Sequence, residues 1–268
     1  MKKLTLFIVL VFISYSVFAQ DTVAIAPVIP VVKKDSVAPR NFSIGIMGGY
    51  TYLMGNLAGI NYADVKSGYS SFEGYNLAAE GTYWLTKRFG IGAMLSHSSF
   101  YAAQTGLADL AVGYQQSLIA DSVKASSITK YNFFNLFVGP YFSFPLKNKR
   151  FNIDVRAVGG LTYANTPDFN FVAIVAGVPH PFSQNASAGF SYGFQGGAGF
   201  GYSFGEHVGI KLHVDYYYTN PNIKILDSNF PANAGRQITE YHQPVTMIHF
   251  NLGVVYKLSK TTKNVVKY

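Results

Sequence analysis

The segment Ala188–Phe204 limits what this chain can fold into more than any other, because two kinds of residue alternate through it. Phe190, Tyr192, Phe194, Ala198, Phe200, Tyr202 and Phe204 take one set of positions, and Gly189, Ser191, Gly193, Gln195, Gly197, Gly199, Gly201 and Ser203 take the other. Successive side chains of a strand point to opposite faces, so the pattern predicts a strand of about 17 residues with an aromatic face and a small, polar face. Soluble strands usually run to only about 5–6 residues. An apolar face this long needs an equally extended apolar neighbour, and lipid supplies one. Because the pattern recurs down the chain, it predicts a transmembrane β-barrel.

Composition agrees. Only 13% of the residues are charged, about half the usual share, so little surface is built to face water. Tyr (20), Phe (22) and Gly (26) are abundant beside a single Trp, a balance suited to aromatic girdles outside a barrel and small residues within. The absence of Cys excludes disulfides, thiolate metal sites, Cys nucleophiles and a lipidated N-terminal Cys.

Residues 1–19 carry Lys2 and Lys3, an apolar run from Leu4 to Ile13 and the ending Val17-Phe18-Ala19, which predicts a signal peptide cleaved before Gln20. The apolar run falls short of the ~20 residues a spanning helix needs. Residues 20–40 hold Pro27, Pro30, Pro39, Lys33 and Lys34 without sustained alternation and read as a flexible periplasmic leader.

Residues 41–258 hold eight strand-like segments: 41–53, 71–85, 89–101, 127–144, 151–164, 188–204, 208–219 and 244–258. The fold expected is therefore all-β, an eight-stranded antiparallel up-and-down barrel, followed by a short periplasmic tail over 259–268. The fourth segment is apolar on both faces; Phe134, Leu136, Val138 and Phe142 are assigned outward. Connections alternate in length. Thr86-Lys87-Arg88, Pro145–Arg150 and Gly205-Glu206-His207 are short, whereas links near 54–70, 102–126, 165–187 and 220–243 are long. Outer-membrane barrels place short turns in the periplasm and long loops outside, which puts both termini on the periplasmic side.

With that orientation, twelve cations in the leader, short turns and tail face three acids, giving +9, while the rest of the mature chain carries −3. Lys87, Arg88, Lys147, Lys149, Arg150 and Lys257 form the core of this basic collar, suited to lipid phosphates of the inner leaflet. Nucleic acid is not an expected partner, since the cations sit on an edge without an aromatic-basic binding face.

The run Val138-Gly139-Pro140-Tyr141-Phe142, a turn, then Phe151-Asn152-Ile153-Asp154-Val155-Arg156-Ala157-Val158-Gly159-Gly160 resembles small outer-membrane β-barrel proteins of the OmpA/OmpX-like and PorT-like superfamily. The resemblance covers roughly residues 41–258. It implies a membrane-stabilising barrel, an adhesin or a secretion accessory, and it carries over no catalytic residue. No OmpA-like peptidoglycan-binding domain is expected after Tyr256.

The inward positions collect the groups with chemistry. Glu80, Asp154, Arg156, Lys211, His213 and Asp215 share the lumen face, where isolated charge would be costly and a paired network can be held. Structural ion pairing is the leading reading, ahead of an ion path or catalysis. Ser96-His97-Ser98-Ser99 places His97 and Ser99 on one face, which suggests a lipid hydrolase, but no orienting acid or oxyanion donor accompanies them. His180, His242 and His249 lack metal-ligand spacing, and no cofactor is expected. The glycines of 193–205 precede a strand rather than a helix and so make no phosphate loop. Tyr216-Tyr217-Tyr218, Tyr50 and Tyr52 are expected at the membrane interface.

The function expected is non-enzymatic: an integral outer-membrane barrel in contact with outer-membrane lipids that displays four extracellular loops for a ligand or partner. The links at 102–126 and at 220–243, with Phe230, Pro231 and Tyr241, are the expected contact sites. The alternatives are an accessory that binds a periplasmic protein partner through the basic collar, and a lipid-modifying enzyme.

Overall fold

The computed structural model describes residues 41–64, 66–147, 150–228 and 238–258. The expected signal peptide, leader and tail, together with Lys149, Phe230 and Pro231, lie outside the described residues.

Eight long strands carry the alternation read from the sequence: β1 (Asn41–Met54), β2 (Ser70–Trp84), β3 (Phe89–Ala102), β5 (Lys130–Pro145), β6 (Phe151–Asn165), β9 (Ala188–Ser203), β10 (Val208–Thr219) and β13 (Val245–Leu258). They close into a barrel in the order β1-β13-β10-β9-β6-β5-β3-β2, and each of these neighbours pairs antiparallel. At 12 to 16 residues, every strand exceeds the ~9–11 needed to cross a bilayer.

Burial runs opposite to that of a soluble protein. Ile46 is 70% exposed and Tyr192 is 82% exposed, while Asp215, Asn251 and Thr162 inside are fully covered. Register fixes this arrangement: a slip of one residue would turn every oily side chain inward and every polar one toward lipid. On β5 Phe134, Leu136 and Val138 are exposed on the outward face as expected, and Phe142, also expected outward, is half-buried with its ring 5.3 Å from Phe89; the opposite face is apolar because Tyr131, Phe133 and Phe137 fill the lumen. Tyr217 is a correction to the expected interfacial trio, for it is fully buried in the lumen while Tyr216 points outward.

The long connections are not irregular loops. A helix, α1 (Gln104–Leu118), and five short strands, β4 (Ser122–Ser126), β7 (Phe169–Val175), β8 (Val178–Asn185), β11 (Asn222–Ser228) and β12 (Ile238–His242), arise within them. The strands form a second sheet in the order β12-β11-β8-β7-β4. β7 and β8 turn through Ala176 and Gly177, both at positive φ (51° and 76°), the backbone of a two-residue hairpin turn that matches strand twist. Tyr114 of α1 lies 4.7 Å from the Phe171 ring and 5.1 Å from Phe182, and these two Phe rings stack at 4.8 Å. This aromatic cluster binds the helix to the sheet as a roof at the long-loop end. Gly106 and Gly113 notch the helix: an added Cβ would meet Tyr69 at 3.1 Å and the Tyr62 ring at 2.2 Å, so the first long connection packs directly on α1.

Candidate functional site: a plugged bore beneath a roofed mouth

The six inward residues singled out from the sequence meet in the bore. Arg156 of β6 grips Asp215 of β10 with two parallel bonds, Nε to Oδ1 at 2.9 Å and Nη2 to Oδ2 at 2.6 Å, while its Nη1 donates to Glu80 of β2 at 2.6 Å. The fork of a guanidinium matches a carboxylate in this way, and ammonium cannot replace it. Lys211 then bridges Glu80 at 3.2 Å and Asp154 at 3.1 Å. Three strands, β2, β6 and β10, are thus tied across the lumen by a chain from Asp154 to Asp215. His213 stands 3.8 Å from Asp215, beyond hydrogen-bonding distance.

The glycines of β9 make room for this network. A Cβ on Gly197 would lie 2.4 Å from Asp215 Oδ1, and one on Gly199 would lie 2.4 Å from His213. Along the strands toward the long-loop end, uncharged groups take over. Tyr217 donates to Asn135 at 3.0 Å and Thr162 to the same oxygen at 2.8 Å; Ser98 donates to Asn76, which donates to Asn251 at 2.9 Å. Met47, Met94, Phe133 and Phe137 fill the remaining space. Small barrels are commonly filled by side chains in this manner. Planar-bilayer recordings should therefore show no stable open level, and a large steady current would refute the plugged bore.

At the short-turn end a cavity of about 180 Å³ opens beside Trp84, Lys87, Lys211 and Lys257. Lys87, Arg88, Lys147 and Arg150 are exposed there. Lys257 differs from them, being half-buried with its Nζ donating to Ser203 at 2.9 Å.

At the opposite end lies a cavity of about 230 Å³ that every long connection helps to build. The first supplies Tyr62, Asp64, Ser67 and Tyr69, the second Leu110 and Tyr114, the third Thr166, Gln184 and Asn185, and the fourth Ile223, Tyr241 and Gln243. Tyr131 at the barrel rim forms part of the floor and donates to the Gly68 carbonyl, which anchors the first connection. Burial pushes the Tyr69 and Tyr241 hydroxyls up to about 12, with nearby Asp64 adding to the effect. Both remain protonated at neutral pH, each able to donate and accept. Among the described lining residues Asp64 is the one charged side chain. Of these residues the sequence singled out only Tyr241. The others carry no local signal, because they become neighbours only when four connections meet.

His97 and Ser99 do not form a catalytic pair. His97 Nε2 donates to Asn132 at 3.1 Å with its ring stacked 4.4 Å from Phe134, and Ser99 Oγ has no hydrogen-bond partner. Among the described residues no cluster of three His, Cys, Asp or Glu side chains is placed to hold a metal.

No family model matches the chain, and no curated protein matches it significantly. Solved structures do. The attachment invasion locus protein Ail of Yersinia pestis covers 82% of this chain with 99% of its own at 11% identity and a TM-score of 0.40; Ail has also been solved with the heparin analogue sucrose octasulfate. A major outer membrane protein of Thermus thermophilus covers 82% with 99% of its own, at 10% identity and a TM-score of 0.46. The closed barrel of eight antiparallel strands with its oily side chains outward is itself the architecture of small outer-membrane β-barrels. The outer membrane protease OmpT of Escherichia coli is also similar (10% identity, 84% of this chain, 98% of its own, TM-score 0.37).

Proposed function

We propose that this chain is a non-enzymatic outer-membrane barrel that holds a receptor cavity at the cell surface. The observation that carries this reading is the convergence of all four long connections on one cavity beneath a packed sheet and helix. Binding pockets combine an apolar lining with a few placed polar groups. Here tyrosine rings, the amides of Gln184 and Gln243 and two protonated phenols surround a single carboxylate. With no cation among the described lining residues, the cavity suits a neutral, hydroxyl-rich ligand such as a sugar unit, and not a polysulfate. Its volume is below the ~300–1,000 Å³ of drug-sized sites, so it accommodates one small unit or the tip of a larger partner.

In this reading the protein is exported through a cleaved signal peptide, the roof faces outside, and Lys87, Arg88, Lys147 and Arg150 face inner-leaflet phosphates. The ion network of the bore is a structural clamp. Full-length protein in detergent, applied to an array of neutral and sulfated glycans, should bind neutral glycans and lose that signal in Tyr241→Ala and Asp64→Ala. An array without signal, binding confined to sulfated glycans, or binding that survives both substitutions overturns the proposal.

A further inference from the structure

A second feature lies on the outer wall. Between β1 and β9 the lipid-facing surface sinks into an apolar groove of about 680 Å³, lined by Ile46, Leu77, Ala79, Leu95, Leu136 and Phe190 among others. The notch arises at Ala79, where a short side chain stands between Ile46 and Leu95 in register. Toward the long-loop end the groove meets a polar ledge. Lys130 begins β5 opposite Tyr101, two positions before Asn132, which faces Ser99.

Lys130 is the only cation with outward parity on the eight barrel strands among the described residues, and no described carboxylate lies within 4.0 Å of it. Its ammonium rests over two rings instead, 4.1 Å from the Tyr101 centroid and 5.6 Å from Tyr75. A cation on a lipid-facing wall is costly unless it meets water or an anion. Behind the ledge, Ser99 is 1% exposed, and its hydroxyl has no hydrogen-bond partner. In the strand register it sits between Tyr75 and Asn132. An ammonium without a carboxylate partner, an unpartnered hydroxyl and an adjoining oily trough together complement a molecule with an anionic head and acyl chains.

We propose that this wall is a binding site for a phosphorylated acyl lipid, its phosphate held at Lys130 and its chains lying in the groove beneath. The ring of His97, stacked on Phe134 and fixed by Asn132, forms the border between the two regions. The opposite wall, built by β10 and β13, presents Leu212, Val214, Phe250 and Leu252 without an outward charge.

The test uses the full chain in mixed micelles with phosphatidic acid bearing a mid-chain diazirine, and a matched diacylglycerol as competitor. Cross-links should concentrate at Leu77, Leu95 and Leu136 and resist diacylglycerol. They should fall about fivefold in Lys130→Gln, the effect of one cation worth about 1 kcal/mol at a lipid surface. Labelling at Leu212 and Leu252 should be weaker and unaltered by the substitution. Equal labelling of both walls, labelling unaltered in Lys130→Gln, or equal competition by diacylglycerol overturns the proposal. A heat-dependent gel shift verifies that the variant is a folded barrel, and because the roof cavity is untouched, failure here leaves the glycan-binding reading standing.

Discussion

Arg156→Met is expected to lower the unfolding free energy of the barrel by about 3–5 kcal/mol, the usual cost of removing one partner from a buried ion pair. The substitution keeps length and apolar bulk but leaves Asp215 without its two-bond partner and Glu80 with Lys211 alone. The loss therefore reflects stranded charge more than missing volume. A companion variant separates these causes. Replacing Glu80, Arg156 and Asp215 together by Leu, Met and Leu should recover most of the loss, since a buried ionic group exchanged for apolar side chains of similar size is often neutral. Lys211 retains Asp154 at 3.1 Å in that variant. Urea titration in phosphocholine vesicles, followed by gel mobility of the folded band, measures both. A cost below about 1 kcal/mol for the single change, which is the range of exposed pairs, would refute the clamp.

Phe171→Ala should have the second large effect, confined to the roof. Phe171 is 1% exposed and sits between Tyr114 and Phe182. Truncating a buried Phe costs about 3–5 kcal/mol. Among the described residues the roof shares no strand pairing with the barrel, so the loss should appear as local opening. Amide exchange across β7, β8 and α1 should accelerate by about a hundredfold or more, while the barrel strands exchange as before and the urea midpoint of the barrel stays in place. Equal acceleration in β9 and β10 would show instead that roof and barrel unfold as one unit.

The barrel was legible because parity is a long-range code: one residue type per face, repeated over a dozen positions, needs no tertiary information to read. β5 was the hardest strand, and the reason is physical. Its inward Tyr131, Phe133 and Phe137 plug the lumen and erase the contrast between faces. The inward charges were legible one by one. That Arg156 of β6 would span to Glu80 of β2 was not, because that contact depends on the diameter of the closed barrel.

The roof was missed for related reasons. In α1 the buried Leu107, Leu110, Ala111 and Tyr114 follow helical spacing, but Gly106 and Gly113 interrupt it, and these glycines make sense only once Tyr69 and Tyr62 are seen against them. Phe169, Phe171 and Ala173 alternate for just one short strand before the Ala176-Gly177 turn. Both signals were present; the helical one was broken by its glycines, and that of β7 was too brief to stand out beside strands twice as long.

The roof sheet draws its strands from three separate connections: β4 from the second, β7 and β8 from the third, β11 and β12 from the fourth. Its register cannot be set until all three stretches of polypeptide have reached the same side of the bilayer. Roof assembly therefore waits on the transfer of those three stretches, and a chain arrested midway through insertion would carry an open mouth and an unformed cavity.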